Sequence, residues 1–517
     1  MTTVEAAPLP PWVADNADGT YRNPVLHADW SDPDVIRVSD DFYLVASSFH
    51  RVPGLPILHS RDLVNWSIIG HALNRLEPEE AFRAPRHGCG VWAPAIRHHD
   101  GRYWIFYPDP DRGVFVVTAT DPAGPWSRSH LLKPGRGLID PCPLWDDDGS
   151  AYLVHAWAKS RAGFNNKLTC HRMSQDGTAL LDAGRYVVDG DALPGYRTLE
   201  GPKFYRRDGW YWIFAPAGGV AHGWQSVFRS RHVFGPYEDR VVLAQGDTPV
   251  NGPHQGAWVT TARGQDWFLH FQDKGAYGRV VHLQPMRWVD GWPELGEPAG
   301  QPVLSYAKPD VAAGPLAAPA TGDDFAGPGL GPQWAWAGNP QPGWWCLDPG
   351  RGLRLPCVLS DAAGDLRQLP NLLGQRLPAE RFRATTTLRL TAALAGARAG
   401  LAVVGHSYAW IGLERTADGT ALVHRAARAG ESEVDAAVAQ PLAGESVGVG
   451  VEVGPGGECR FLAAVGPEPL RPVGPPFTAT ARHWVGATLG LFATAPPAAG
   501  PGGAAEVGPL HVTGADT

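Results

Sequence analysis

Sulfur is scarce in this chain. Six cysteines and three methionines occur in 517 residues, and Cys89, Cys142, Cys170, Cys346, Cys357 and Cys459 form neither a CxxC pair nor a metal-ligand spacing. A thiolate metal site is excluded, and mostly free thiols are expected. Long apolar runs are missing too: no segment offers about 18 uninterrupted apolar residues. The start, MTTVEAAPLPPW, lacks a basic region followed by an apolar stretch. The expectation is a soluble, cytoplasmic protein with no membrane partner. A basic stripe is also absent, since 44 basic and 52 acidic residues leave a formal charge of -8. Nucleic acid is therefore not an expected partner, while a homo-oligomer stays open.

Turn formers are abundant. The 63 glycines and 49 prolines, in a chain with 44% apolar residues, imply many turns between short elements, hence an all-β fold. The length exceeds what one core sustains, so two domains are expected.

An internal repeat sets the architecture. The segments SDPDVIRVSDDFYLVASSF, WAPAIRHHDGRYWIFY, DPCPLWDDDGSAYLVHA, EGPKFYRRDGWYWIFAPA and HQGAWVTTARGQDWFLHF begin at Ser31, Trp92, Asp140, Glu200 and His254. Each joins an apolar strand to an aromatic strand through a turn usually containing Asp or Gly, which is a hairpin signature. The starts are 61, 48, 60 and 54 residues apart, slightly above the ~40 to 50 of a propeller blade. Five such units predict a five-bladed β-propeller over 1–305. A Pro- and Ala-rich linker follows over 306–321. The Gly-bounded apolar runs of 322–517 predict a β-sandwich of the concanavalin or jelly-roll kind.

In a propeller the first strand of each blade lines the central channel, so residues opening equivalent strands converge at one end. Asp32 precedes Pro33, Asp140 precedes Pro141, and Glu200 and Trp92 lie two before Pro202 and Pro94; His254 opens the fifth repeat. Three carboxylates, an indole and an imidazole then surround one cavity. Crowded carboxylates are costly unless one is protonated or a cation is near, so such a cluster points to function. Cleavage of a glycosidic bond needs that asymmetry, an acid for the leaving oxygen and an ionised partner. Leu199, Pro202 and Phe204 make the surroundings of Glu200 apolar, which suits the acid. A flat indole at Trp92 suits sugar C–H bonds. His254 alone is a weak metal signal, because a hard cation wants several oxygens and no oxygen-rich loop accompanies it. A non-catalytic carbohydrate-binding propeller would use the same aromatic channel without both acid and base.

These residues sit in NPVLHADWSDPDVIRV, SSFHRVPGLPILHSRDLVNW, GVWAPAIRHHDGRYWIFY, LIDPCPLWDDDGSAYLVHA, LEGPKFYRRDGWYWIFAPAGG, NGPHQGAWV and GAYGRVVHLQPMRW. Taken together, the motifs resemble glycoside hydrolase family 43, the β-xylosidase and α-L-arabinofuranosidase group. The resemblance implies an inverting mechanism on an oligosaccharide substrate. Asp32 would be the general base, Glu200 the general acid, and Asp140 would tune and orient that acid. It also implies Phe49, Trp92 and Arg279 as pocket residues, and calcium or another cation held largely through water beside His254. The second region is similar to the concanavalin-like sandwich of such β-xylosidases, where a loop closes an exo-acting pocket; no residue for that loop is assignable from the sequence.

Overall fold

The computed structural model describes residues 10–515 except 313, 349, 393–394, 443–445 and 501. The outermost positions of the two expected domains, 1–9 and 516–517, lie outside the described residues. Five four-stranded antiparallel sheets span 34–73, 95–134, 138–189, 203–244 and 254–295, here blades I to V, each made of consecutive strands in chain order. The hairpins form where the sequence predicts. Asp100 and Gly101, Asp208 and Gly209, and Asp290 and Gly291 all have positive φ. Two successive left-handed residues match the twist of the flanking strands, and Asp and Gly tolerate that conformation best.

Blade strands lose the alternation of a half-exposed sheet because neighbours cover both faces. Arg102–Asp109 is buried at every position after the first. Five apolar clusters join successive blades. Blades I and II share Val45, Ile57 and Ile96; II and III share Phe106, Val116 and Leu153; III and IV share Val154, Phe204 and Ile213. Blades IV and V share Phe214, Val227 and Phe268, and Val35, Leu44 and Leu269 join V back to I. Each fully buried side chain of this size contributes roughly 1.5–3 kcal/mol. The ring is therefore closed by packing, since no blade borrows a strand from the other end of the propeller. Thr20–Arg22 and Ser305–Ala307 pair antiparallel in a small sheet of their own, tying the two ends together.

Beyond this, two nine-stranded sheets form a sandwich. Leu401, Val403 and Ile411 of one sheet share a core with Val449, Val451 and Phe461 of the other. Phe382–Thr391 alternates buried and more exposed residues with the period of two that a one-sided core demands. The sandwich sits on the propeller through backbone as well as side chains: Val52 bridges Trp336, and Ala487 N donates to Ala276 O at 2.7 Å. All six cysteines are free. Among the described residues, no helix is long and apolar enough to cross a membrane.

Candidate active site

Counting back from Pro33, Pro94, Pro141 and Pro202, the inner strands line up in layers. Asp32, Ala93, Asp140, Gly201 and Gln255 form one layer, with Ser31, Trp92, Ile139, Glu200 and His254 one residue before it. Four of the five residues in the first layer are left-handed: Asp32 (φ 56°), Asp140 (55°), Gly201 (62°) and Gln255 (41°). Ladder register shifts between Ile139 and Cys142 and between His254 and Ala257. Such bulges re-aim side chains, and strained non-glycine backbone concentrates at functional sites. At Gly201 an added Cβ would lie 2.8 Å from Gln255 Cγ. A side chain is excluded there, and the third carboxylate comes from the preceding residue, Glu200.

The mouth of the channel is a pocket of about 250 Å³ whose walls include Asp32, Asp140, Glu200, Phe49, Trp92 and Arg279. Asp32 is buried and accepts from three donors. Oδ2 accepts from the Ser31 hydroxyl at 2.7 Å and from the Ser47 hydroxyl, while Oδ1 accepts from Arg279 Nη1 at 2.9 Å. Arg279 also reaches Ser31 Oγ at 2.8 Å, and its guanidinium lies 4.6 Å from the centroid of Phe271. Asp140 Oδ2 accepts from the backbone N–H of Gly201 at 2.7 Å. Burial first, then the charge of Glu200, pushes the Asp140 carboxyl up to about 8. The apolar enclosure expected at Glu200 thus falls mainly on Asp140, which is 4% exposed, whereas the Glu200 side chain is 24% exposed. A half-open carboxyl is the one a substrate can touch.

His254 lies behind this layer. Its Nε2 is 3.0 Å from Glu200 Oε1, its ring is buried, and Nδ1 has no protein partner. It orients Glu200 from behind. Among the described residues no three His, Cys, Asp or Glu side chains are grouped to hold a metal, so a cation beside His254 would take most of its roughly six to eight oxygens from water. Deeper in the channel, the position after the prolines carries Asp34, Cys142 and Lys203, all fully buried. Asp34 pairs with Arg97 at 2.7 Å, Arg97 donates to Cys142 Sγ, and Lys203 Nζ donates to Pro94 O at 2.9 Å. Lys203 therefore offsets part of the charge at Asp140, whereas Arg97 is matched by Asp34.

One wall comes from the other domain. Trp484, on the sandwich loop 482–486, lines the pocket with its ring 4.5 Å from Trp92 at 80° and 6.5 Å from Phe49. Its own φ is 63°. The loop is anchored by Gly486 N, which donates to Asp29 Oδ2 at 3.0 Å. A Cβ on Gly486 would come within 2.6 Å of Gly278 N, so only glycine permits this approach. Nothing in TARHWVG marks Trp484 beforehand, because contact across domains has no period or spacing. Gln255 and Thr198, two further wall residues, were likewise silent. Ser31 and Ser47 carried a signal in SDPD and SSF, as hydroxyls beside a repeat aspartate.

Residues 21–293 match the model of glycosyl hydrolases family 43, and residues 322–510 match that of the beta xylosidase C-terminal concanavalin A-like domain. The chain belongs to glycosyl hydrolase family 43. A relative from Xylanibacter ruminicola, named a putative beta-xylosidase, is 41% identical over 406 residues, 77% of this family 43 chain and 73% of that protein. A Bacteroides ovatus protein named a non-reducing end alpha-L-arabinofuranosidase is 31% identical, covering 76% of this chain and 75% of its own. In fold, a family 43 protein from Bacillus licheniformis superposes with a TM-score of 0.84 at 24% identity, covering 96% of this chain and all of that one. Family 43 membership makes this a glycoside hydrolase, and the three carboxylates stand where its propeller channel opens.

Proposed function

We propose that this glycoside hydrolase releases single terminal β-D-xylose units from xylo-oligosaccharides with inversion at the anomeric carbon. The observation that carries the reading is the indole of Trp484 set across the propeller mouth against Trp92. A pocket closed on one side by a second domain accepts a chain end more readily than a chain middle. The putative beta-xylosidase that is 41% identical supports xylose as the sugar released.

Asp32 is the proposed general base. Each carboxylate oxygen has two lone pairs, so Oδ1, with the single bond from Arg279, keeps one for a water proton. The water oxygen forms the new bond to the anomeric carbon as the glycosidic bond breaks. Glu200, held through Oε1 by His254, delivers its proton from the free oxygen to the leaving group. Asp140 keeps a proton resident in the Asp140–Glu200 pair, because two adjacent carboxyls in a dry site resist ionising together. Base and acid each contribute typically 10²–10⁴-fold in rate, about 3–5 kcal/mol.

Release of α-L-arabinofuranose is the second reading, favoured by the 31% identical Bacteroides ovatus relative. Initial rates on nitrophenyl β-xyloside and α-L-arabinofuranoside separate the two, and turnover of neither rules out both. NMR of the first-formed sugar tests the stereochemistry: the anomer opposite to the substrate's is expected, and retention would remove Asp32 from the base role.

A further inference from the structure

A second cavity, of about 40 Å³, lies between propeller and sandwich on the far side of the loop that carries Trp484. Its lining is basic. Arg51, His50, His71 and His87 come from the propeller, and Arg376 and Arg482 from the sandwich. Few acids answer them. Asp29 lies 3.8 Å from Arg51 Nη1, but its oxygens already accept from the backbone N–H groups of Arg279 and Gly486 at 3.0 Å each. Arg367, the fourth guanidinium on the wall, is paired with Asp365 at 2.7 Å. Four guanidiniums therefore face two carboxylates.

Two donors point at nothing. Arg482 Nε and Gln375 Nε2 are buried without a hydrogen-bond partner; His50 Nδ1 is unpartnered too, and His50 and Gln375 are only 5% and 4% exposed. His87 donates its Nε2 proton to the Arg367 carbonyl at 2.8 Å, which leaves Nδ1 as an acceptor. Arg376 donates Nε to Asp29 O and stacks 3.8 Å over Trp30, and Arg51 donates to Thr488 Oγ1 at 2.9 Å. Unpaired buried donors are costly, and guanidinium forks match oxyanions in geometry. We propose that this interdomain cavity binds a compact inorganic oxyanion of the phosphate or sulfate type, held by Arg51, Arg376 and Arg482 with the buried faces of His50 and Gln375. Burial holds the Arg376 guanidinium down to about 9 and that of Arg482 down to about 10. A bound anion would relieve both.

The position gives the site a consequence. Arg482 and Trp484 belong to one short loop, with Arg482 facing the anion cavity and Trp484 the sugar pocket. An anion would therefore clamp the domains and steady the wall of the sugar pocket without touching sugar.

Crystals of the full chain grown free of other oxyanions and soaked in millimolar selenate should show one anomalous peak inside the cavity. Isothermal titration with inorganic phosphate, and separately with sulfate, tells which anion is preferred. Arg376→Gln and Arg482→Gln should each weaken binding by roughly tenfold or more. An empty cavity in soaked wild-type crystals would overturn the proposal, as would a peak only beside Arg279 in the sugar pocket. Wild-type affinity for phosphate in a folded Arg376→Gln/Arg482→Gln double variant would overturn it too. The wild-type soak decides even where the variants fail to fold.

Discussion

The indole of Trp484, carried by the sandwich, meets the indole of Trp92, carried by the propeller, edge to face at 4.5 Å. Each domain therefore supplies one face of the same pocket. Trp484→Ala should raise KM on xylobiose about tenfold, the ~1.4 kcal/mol scale of one lost aromatic contact, and leave the thermal midpoint nearly unchanged. Steady-state kinetics beside calorimetry check this. A fall in kcat with constant KM would mean that the indole acts on the chemistry instead.

Glu200→Gln keeps the hydrogen-bonding shape but has no proton to give. Hydrolysis of xylobiose should fall by about 10²–10⁴-fold, while an activated dinitrophenyl xyloside, which needs little protonation, should lose far less. Equal losses on both would argue against the acid role.

Arg279 and Asp32 form an ion pair with side chains only 8% and 6% exposed. Removing one partner of such a buried pair costs about 3–5 kcal/mol, because the other charge stays buried. Arg279→Ala should therefore lower the denaturation midpoint as well as activity. Arg279→Lys should restore less than full activity, since an ammonium lacks the planar guanidinium that lies 4.6 Å from the centroid of Phe271 while Nη1 reaches both Ser31 and Asp32. Urea melts of the three proteins measure it.

The Asp140 carboxyl is raised from 3.8 to about 8 by burial and by Glu200. Between those values the folded chain holds a proton that the unfolded chain releases, so the slope of stability against pH is negative there. Stability from this group is full below about 4 and lost as pH rises to about 8. Thermal midpoints recorded from pH 4 to 9 should fall less steeply in Asp140→Asn than in wild type.

Chelation tests the cation. Lys203 already supplies positive charge in the channel, and among the described residues no three His, Cys, Asp or Glu side chains are grouped to hold a metal. Activity on nitrophenyl β-xyloside should stay within about twofold after exhaustive chelation, against the tens-fold losses typical when a site depends on its metal shell. A calcium-restorable loss would place a water-held ion beside His254 after all.

Much of the propeller was legible because it is local and repeated. Asp-Gly turns, aromatic second strands and five recurrences announce themselves within about 20 residues each, and the same recurrence placed Asp32, Asp140 and Glu200 at one address. Their inequality was not legible. The sequence around Glu200 looks the more apolar, yet the backbone N–H of Gly201 and the closing of the ring bury Asp140 more deeply.

By itself, then, the sequence determined the blades, their order and the layer of the channel that carries carboxylates, since hairpin chemistry and strand period act between near neighbours. The tertiary structure alone decided which carboxyl is dry, that His254 backs Glu200, and that Trp484 crosses from the sandwich to wall the pocket. Burial and contact between residues hundreds of positions apart depend on how separate elements pack, and no local pattern encodes that.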